Sequence, residues 1–108
     1  MNSAPKEIEN VKVPLKANIY FDGKVVSHTL LLANGSKKPV GLIYPGSFTF
    51  HTDAAERMDV IAGHCAVRLR GHSEWKTYSA GQYFNVPSKS AFDIKVDSGI
   101  VEYLCSFE

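Results

Sequence analysis

"GSFTFHTDAAERMDVIAGH", residues 46–64, decides how this chain is read. His51 is followed after four residues by Glu56, and Glu56 after six more by Gly63. That spacing is expected of a metal-binding strand in a small β-barrel, so the first question is whether a metal is held here. "SFTFHT" and "RMDVIA" have the length and the β-branched and aromatic content of strands. Only "DAAER" between them has helical flavour, and five residues supply a turn at most.

The same texture extends on both sides. From Ile19 onward the chain breaks into "IYF", "KVVSHTLLL", "VGLIY", "SFTFHT", "RMDVIA", "CAVRLR", "WKTYS", "YFNV", "AFDIKV" and "IVEYLCSF". Between most of these runs stand turn-forming pairs such as "DG" at 22–23, "NGS" at 34–36, "PG" at 45–46 and "DSG" at 97–99. Phe92, Ile94 and Val96 alternate with Asp93, Lys95 and Asp97, placing the first three on a core face. Short strands without a helix to cover them must bury their apolar faces on one another. The expectation is an all-β, cupin-like jelly-roll β-barrel of about ten short antiparallel strands. Residues 1–18 read as an N-terminal arm, flexible or contributing one edge strand around Ile8 to Val13, and residues 19–108 as a single domain.

Composition excludes several classes of function. The 108 residues suffice for one core, and 44% of them are apolar. Twelve basic and eleven acidic side chains leave a net charge of +1, which offers no electrostatic footprint for nucleic acid or an anionic membrane. No apolar run approaches the roughly 20 residues that span a bilayer, and "MNSAPKEIENVK" lacks the apolar centre of a signal peptide, so the cytoplasm is the expected location. Cys65 and Cys105 are too few and too far apart for a disulfide framework or a CxxC site, and read as buried, unreactive thiols.

"GQYFNVP", from Gly81 to Pro87, sets five residues between a glycine and a proline. Together with His51, Glu56 and Gly63 it resembles the two sequence motifs of the cupins. In metal-binding cupins a further histidine stands two residues before the first and another five residues after the proline. Here those positions are Thr49 and Phe92, leaving His51 and Glu56 of four expected ligands. Two protein ligands seldom make a tight divalent site. His28, His64 and His72 fall near turns or on other runs, so no metal is expected.

A closer resemblance rests on "YFDGKVVSHTLLL", "GSFTFHTDAAERMDVIAG", "FNVPSKSAFDIKV" and "EYLCSF", in that order over residues 19–107. These segments are similar to the pyrimidine/purine nucleoside phosphorylase family of small single-domain cupins. The resemblance implies cleavage of nucleosides by inorganic phosphate to free base and ribose 1-phosphate, with broad tolerance of the base and no cofactor beyond phosphate as co-substrate. It also implies a homodimer, which the need to cover exposed strand edges supports.

Phosphorolysis sets three tasks: holding phosphate, fixing ribose and releasing the base through an oxocarbenium-like transition state. Phosphate calls for cations or converging N–H groups; Lys89 and Arg57 lead the candidates ahead of Arg68 and Arg70, with the hydroxyls of Ser88 and Ser90 beside Lys89. Arg57 follows Glu56 directly and by alternation points to the opposite face. Glu56 is the candidate catalytic carboxylate, able to accept from the 2′ and 3′ hydroxyls and to offset positive charge on the ring. His51 can bond to phosphate, ribose or Glu56, and Thr49 stands on the same run. Ring surface for the base is available from Phe48, Phe50, Tyr83, Phe84, Phe92 and Tyr103, although most of these must fill the core. No nucleophile elbow or glycine-rich phosphate loop is present, so the chemistry expected is direct displacement by phosphate. A sugar- or nucleotide-binding module without turnover, and a metal-dependent cupin enzyme using His51 and Glu56, are the alternatives.

Overall fold

The computed structural model describes residues 4–108. The strands are β1 (Val11–Lys12), β2 (Asn18–Tyr20), β3 (Val25–Leu32), β4 (Lys37–Ile43), β5 (Gly46–His51), β6 (Glu56–Ala62), β7 (His64–Leu69), β8 (Lys76–Ser79), β9 (Tyr83–Val86), β10 (Ala91–Val96) and β11 (Val101–Phe107). Each of the ten runs expected to form a strand contains one, and β1 pairs with the far end of β3. "DAAER" makes no helix: Glu56 already opens β6. The one helical element among the described residues is a 3-10 turn over Phe21–Gly23.

Two antiparallel sheets result. The larger runs β1-β3-β4-β11-β6-β9, with β2 also on β3, and the smaller runs β5-β10-β7-β8. They form a cupin-like jelly roll, but the hydrogen-bond ladders stay separate, so the expected barrel is not closed by pairing. From β4 onward the chain passes repeatedly between the sheets. Gly63 alone links β6 in one sheet to β7 in the other. Its φ of +81° favours glycine, and a Cβ there would run into the Ile100 carbonyl.

The core lies between the two inner faces. Ile43, Val60, Phe84 and Val86 of the larger sheet meet Val67, Phe92, Ile94 and Val96 of the smaller one. The ring of Phe92 stands edge-on to Phe84 at 5.3 Å and to Phe50 at 5.2 Å. Among the described residues no helix is long and apolar enough to cross a membrane.

Phe92, only 1% exposed, sits at the middle of this ring row. The Phe92→Ala variant is expected to lose about 3–5 kcal/mol of stability, read from the urea midpoint, because the neighbouring rings cannot collapse into the space left.

Candidate functional site

The core does not fill the whole interval between the sheets. Toward β5 and β2 it leaves a cavity of about 440 Å³, a size ordinary for small-ligand sites. Its lining follows the strand period of two: Val25, Ser27 and Thr29 from β3, Glu56 and Met58 from β6, and Tyr103, Cys105 and Phe107 from β11. Asn18 and Tyr20 of β2 and Phe21 of the following turn close one side, while Thr49, Phe50 and His51 of β5 border the other. A second depression, about 260 Å³ on the outer face of the larger sheet around Val26, Val40, Leu42 and Ile61, is mainly apolar.

Much of the cavity lining is polar and hydrogen-bonded. Asn18 Nδ2 donates to Ser27 Oγ at 3.3 Å and to Thr29 Oγ1 at 3.2 Å, and Ser27 in turn bonds the phenol of Tyr103. Gly41 of β4 makes room for that phenol: a Cβ at this position would lie 2.9 Å from Tyr103 Oη. Burial pushes the phenol up to about 12. Beside it the Cys105 thiol donates to the Glu56 carboxyl. Glu56 is 9% exposed, and burial raises its pKa, with the thiol hydrogen bond opposing part of the rise. Burial and the neighbouring carboxylate push Cys105 up to about 12, and burial alone takes Cys65 to about 11, so both free thiols are protonated at neutral pH.

Of the residues singled out from sequence, Glu56, His51, Thr49, Phe50 and Tyr103 border this cavity, whereas Arg57, Phe92, Ser88, Lys89 and Ser90 do not. Arg57 points to the outer face, where its guanidinium bonds Asp59 at 3.1 Å and covers the ring of Tyr83 at 3.8 Å. Phe92 is consumed by the core. Ser88, Lys89 and Ser90 belong to a corner stitched to the residues after β5. Thr52 Oγ1 donates to Pro87 O at 2.7 Å and accepts from Ser90 N at 2.9 Å, while Lys89 N donates to Asp53 O at 3.1 Å. Two backbone N–H groups that could have cradled an anion are thus already engaged.

Thr49 donates to Asp93 at 2.7 Å on the outer side of the smaller sheet; this bond and then Arg68 hold that carboxyl below the usual range. Arg68 and Lys95 both cover Trp75, so the tryptophan serves surface packing. Among the described residues no three His, Cys, Asp or Glu side chains come together as a metal site.

Sequence reasoning missed Asn18, Ser27, Thr29 and Cys105. The signal was present: by the strand period of two, Ser27 and Thr29 share the face that Val25 buries, so two polar side chains had to point inward.

A family model described as pyrimidine/purine nucleoside phosphorylase matches residues 15–107. The chain belongs to that family. The phosphorylase of that name from Aromatoleum aromaticum is 51% identical over 105 residues, 97% of this chain and 98% of that protein. Among solved structures, a family-sized protein of unknown function from Acinetobacter sp. ADP1 superposes with a TM-score of 0.91 at 38% identity, covering 94% of this chain and 98% of that one. Bacillus subtilis oxalate decarboxylase shares the fold at a TM-score of 0.73 and 16% identity, over 98% of this chain and 31% of its own. The family match begins at Leu15 and so takes in β2 and the Asn18 that closes the cavity.

Because the folded state holds protons on Glu56 above pH 4.5, where the unfolded chain releases them, this residue lowers stability as pH rises from 4.5 through its raised folded-state pKa. Glu56→Gln should therefore be more stable than the wild type at pH 8, read as a higher urea midpoint. The gain should shrink toward pH 4, where the wild-type carboxyl is protonated in both states.

Proposed function

We propose that the cavity catalyses phosphorolysis of purine and pyrimidine nucleosides to free base and ribose 1-phosphate. One observation carries the reading: hydroxyls, an amide and a buried carboxyl line one cavity together with the aromatic side chains of Tyr20, Phe21 and Phe107, each about half exposed. A nucleoside has the same division, a hydroxylated sugar joined to a planar apolar ring. The family membership supports the same chemistry.

In the reaction a phosphate oxygen forms a bond to C1′ as the bond from C1′ to the base nitrogen breaks. The electron pair stays on the base, which takes up a proton. Glu56, as the carboxylate, accepts from the ribose hydroxyls and offsets the positive charge gathering on the sugar. Burial costs it part of its ionisation, a cost that sugar hydroxyls donating to it reduce. His51, exposed at the edge of β5, is assigned to phosphate. Tyr103, Ser27 and Asn18 provide the remaining polar contacts to the sugar. The proposal retains inorganic phosphate as the sole co-substrate, no metal, a homodimer and a cytoplasmic setting.

A non-catalytic nucleoside binder is the second reading, favoured by the absence of any lysine or arginine from the cavity lining among the described residues. The two separate in one assay. Base release from inosine and uridine should require phosphate, whereas a binder gives ligand-induced thermal stabilisation without product. Product formed equally well without phosphate overturns the phosphorolysis reading. For the residue assignments, Glu56→Gln should lower kcat/KM about 100-fold or more. The wild-type profile should rise with pH through a pKa above the ordinary carboxylate range, and that limb should vanish in the variant.

A further inference from the structure

We infer that Phe21, stacked on Phe50, is the seat of the nucleobase and sets the tolerance for both purines and pyrimidines; the inference rests on the nucleoside reading of this cavity.

Phe21 is held at a cost. It has a φ of +51° and is followed by Asp22 at +56°, two consecutive non-glycine residues in the left-handed region. A bulky aromatic residue there is strained. Burial does not explain the arrangement, since Phe21 is 44% exposed. What the backbone achieves is the position of the ring. It lies 5.7 Å from Phe50 with the two planes 11° apart, and tilted against Phe48 at 5.0 Å. Phe50 is backed by Phe92, and Phe92 by Phe84, so a row of four rings runs from the packed core to the cavity rim.

Phe21 and Phe50 both line the cavity, together with Glu56 and Tyr103. With the sugar held by those polar groups, the base reaches the lining aromatics and stacks on the Phe21 ring. Stacking uses the π-face that every base possesses, so it discriminates little between a six-membered ring and a fused pair. Hydrogen-bond readout would discriminate strongly, because a site built for one pattern leaves polar groups unpaired with another. A seat of rings therefore fits broad specificity. The strained turn is the device that brings a surface-loop aromatic over the cavity instead of leaving it in solvent.

The test compares wild type, Phe21→Leu and Phe21→Tyr. Leucine removes the π-face while keeping apolar bulk, and tyrosine restores the ring. In phosphate-dependent cleavage, Phe21→Leu should raise KM for inosine and for uridine about tenfold, with the tyrosine variant near wild type. Inhibition by ribose 1-phosphate, which lacks a base, should be unchanged in both variants. An unchanged KM in Phe21→Leu overturns the inference, as does a parallel weakening of ribose 1-phosphate, which would mean that the residue only props the cavity open. If wild type shows no phosphate-dependent cleavage, the phosphorolysis reading fails by itself. Calorimetric titration with inosine and uridine then decides the seat directly: it stands if wild type binds both and Phe21→Leu binds them about tenfold more weakly, and falls otherwise.

Discussion

The hydroxyl of Thr52, buried and bonded on both sides, holds together the two corners on which the site depends. It donates to the Pro87 carbonyl and accepts from the Ser90 amide, while its own N–H meets the Ser90 carbonyl. One corner carries the chain from β5 to β6 and the other from β9 to β10, so these bonds fix where each strand leaves one sheet and enters the other. That fixes the separation of His51, last residue of β5, from Glu56, first residue of β6. The five-residue interval noticed in the sequence is the span of a corner, and the corner has a defined shape because a side chain ties it to its neighbour.

The cavity exists because the two sheets are not matched along their length. Rings and branched aliphatics fill one end of the interval, while the faces of β3, β6 and β11 continue toward β2 and β5 with smaller and more polar side chains. A polar face can be left inside a β-sandwich only if its groups are paired. Here they are paired with one another: Asn18 with Ser27 and Thr29, Ser27 with Tyr103, and Cys105 with Glu56. Among the described residues no buried side-chain nitrogen or oxygen lacks a partner. The site is thus a hydrogen-bonded set in which Glu56, deprived of water, is the group whose charge state is most sensitive to what enters.

Much of this was legible before any coordinates. Strands were readable because their side-chain period is two and glycine, asparagine and proline punctuate them, and each of the ten runs became a strand. Glu56 could be placed in a pocket because motif spacing is a local property. The phosphate candidates were harder. Lys89 and its serines looked available because a loop after a proline often lines a barrel mouth, yet that loop's N–H groups are used to join it to Asp53 and Thr52, residues about 36 positions earlier. Arg57 was drawn in by its adjacency to Glu56, although alternation turned it outward to Asp59 and Tyr83. Phe21 could not be found from pattern at all, since nothing in "YFDGK" announces a phenylalanine in the left-handed region. Such a conformation is set by what surrounds it.

The order of strands in the larger sheet has a kinetic corollary. β3 and β4 are a hairpin joined through Asn34 and Gly35, and can pair as soon as both exist. β4 then waits for β11, some sixty residues further along, before it gains its second neighbour, and β6 waits for the same strand. Closing loops of that length is entropically unfavourable until the contacts form, which makes such topologies slow to fold. β11 is also the strand that delivers Tyr103 and Cys105 to the cavity. During synthesis β11 emerges after the ten strands before it and completes the pocket, and a chain without β11 would lose ligand recognition together with the centre of its larger sheet.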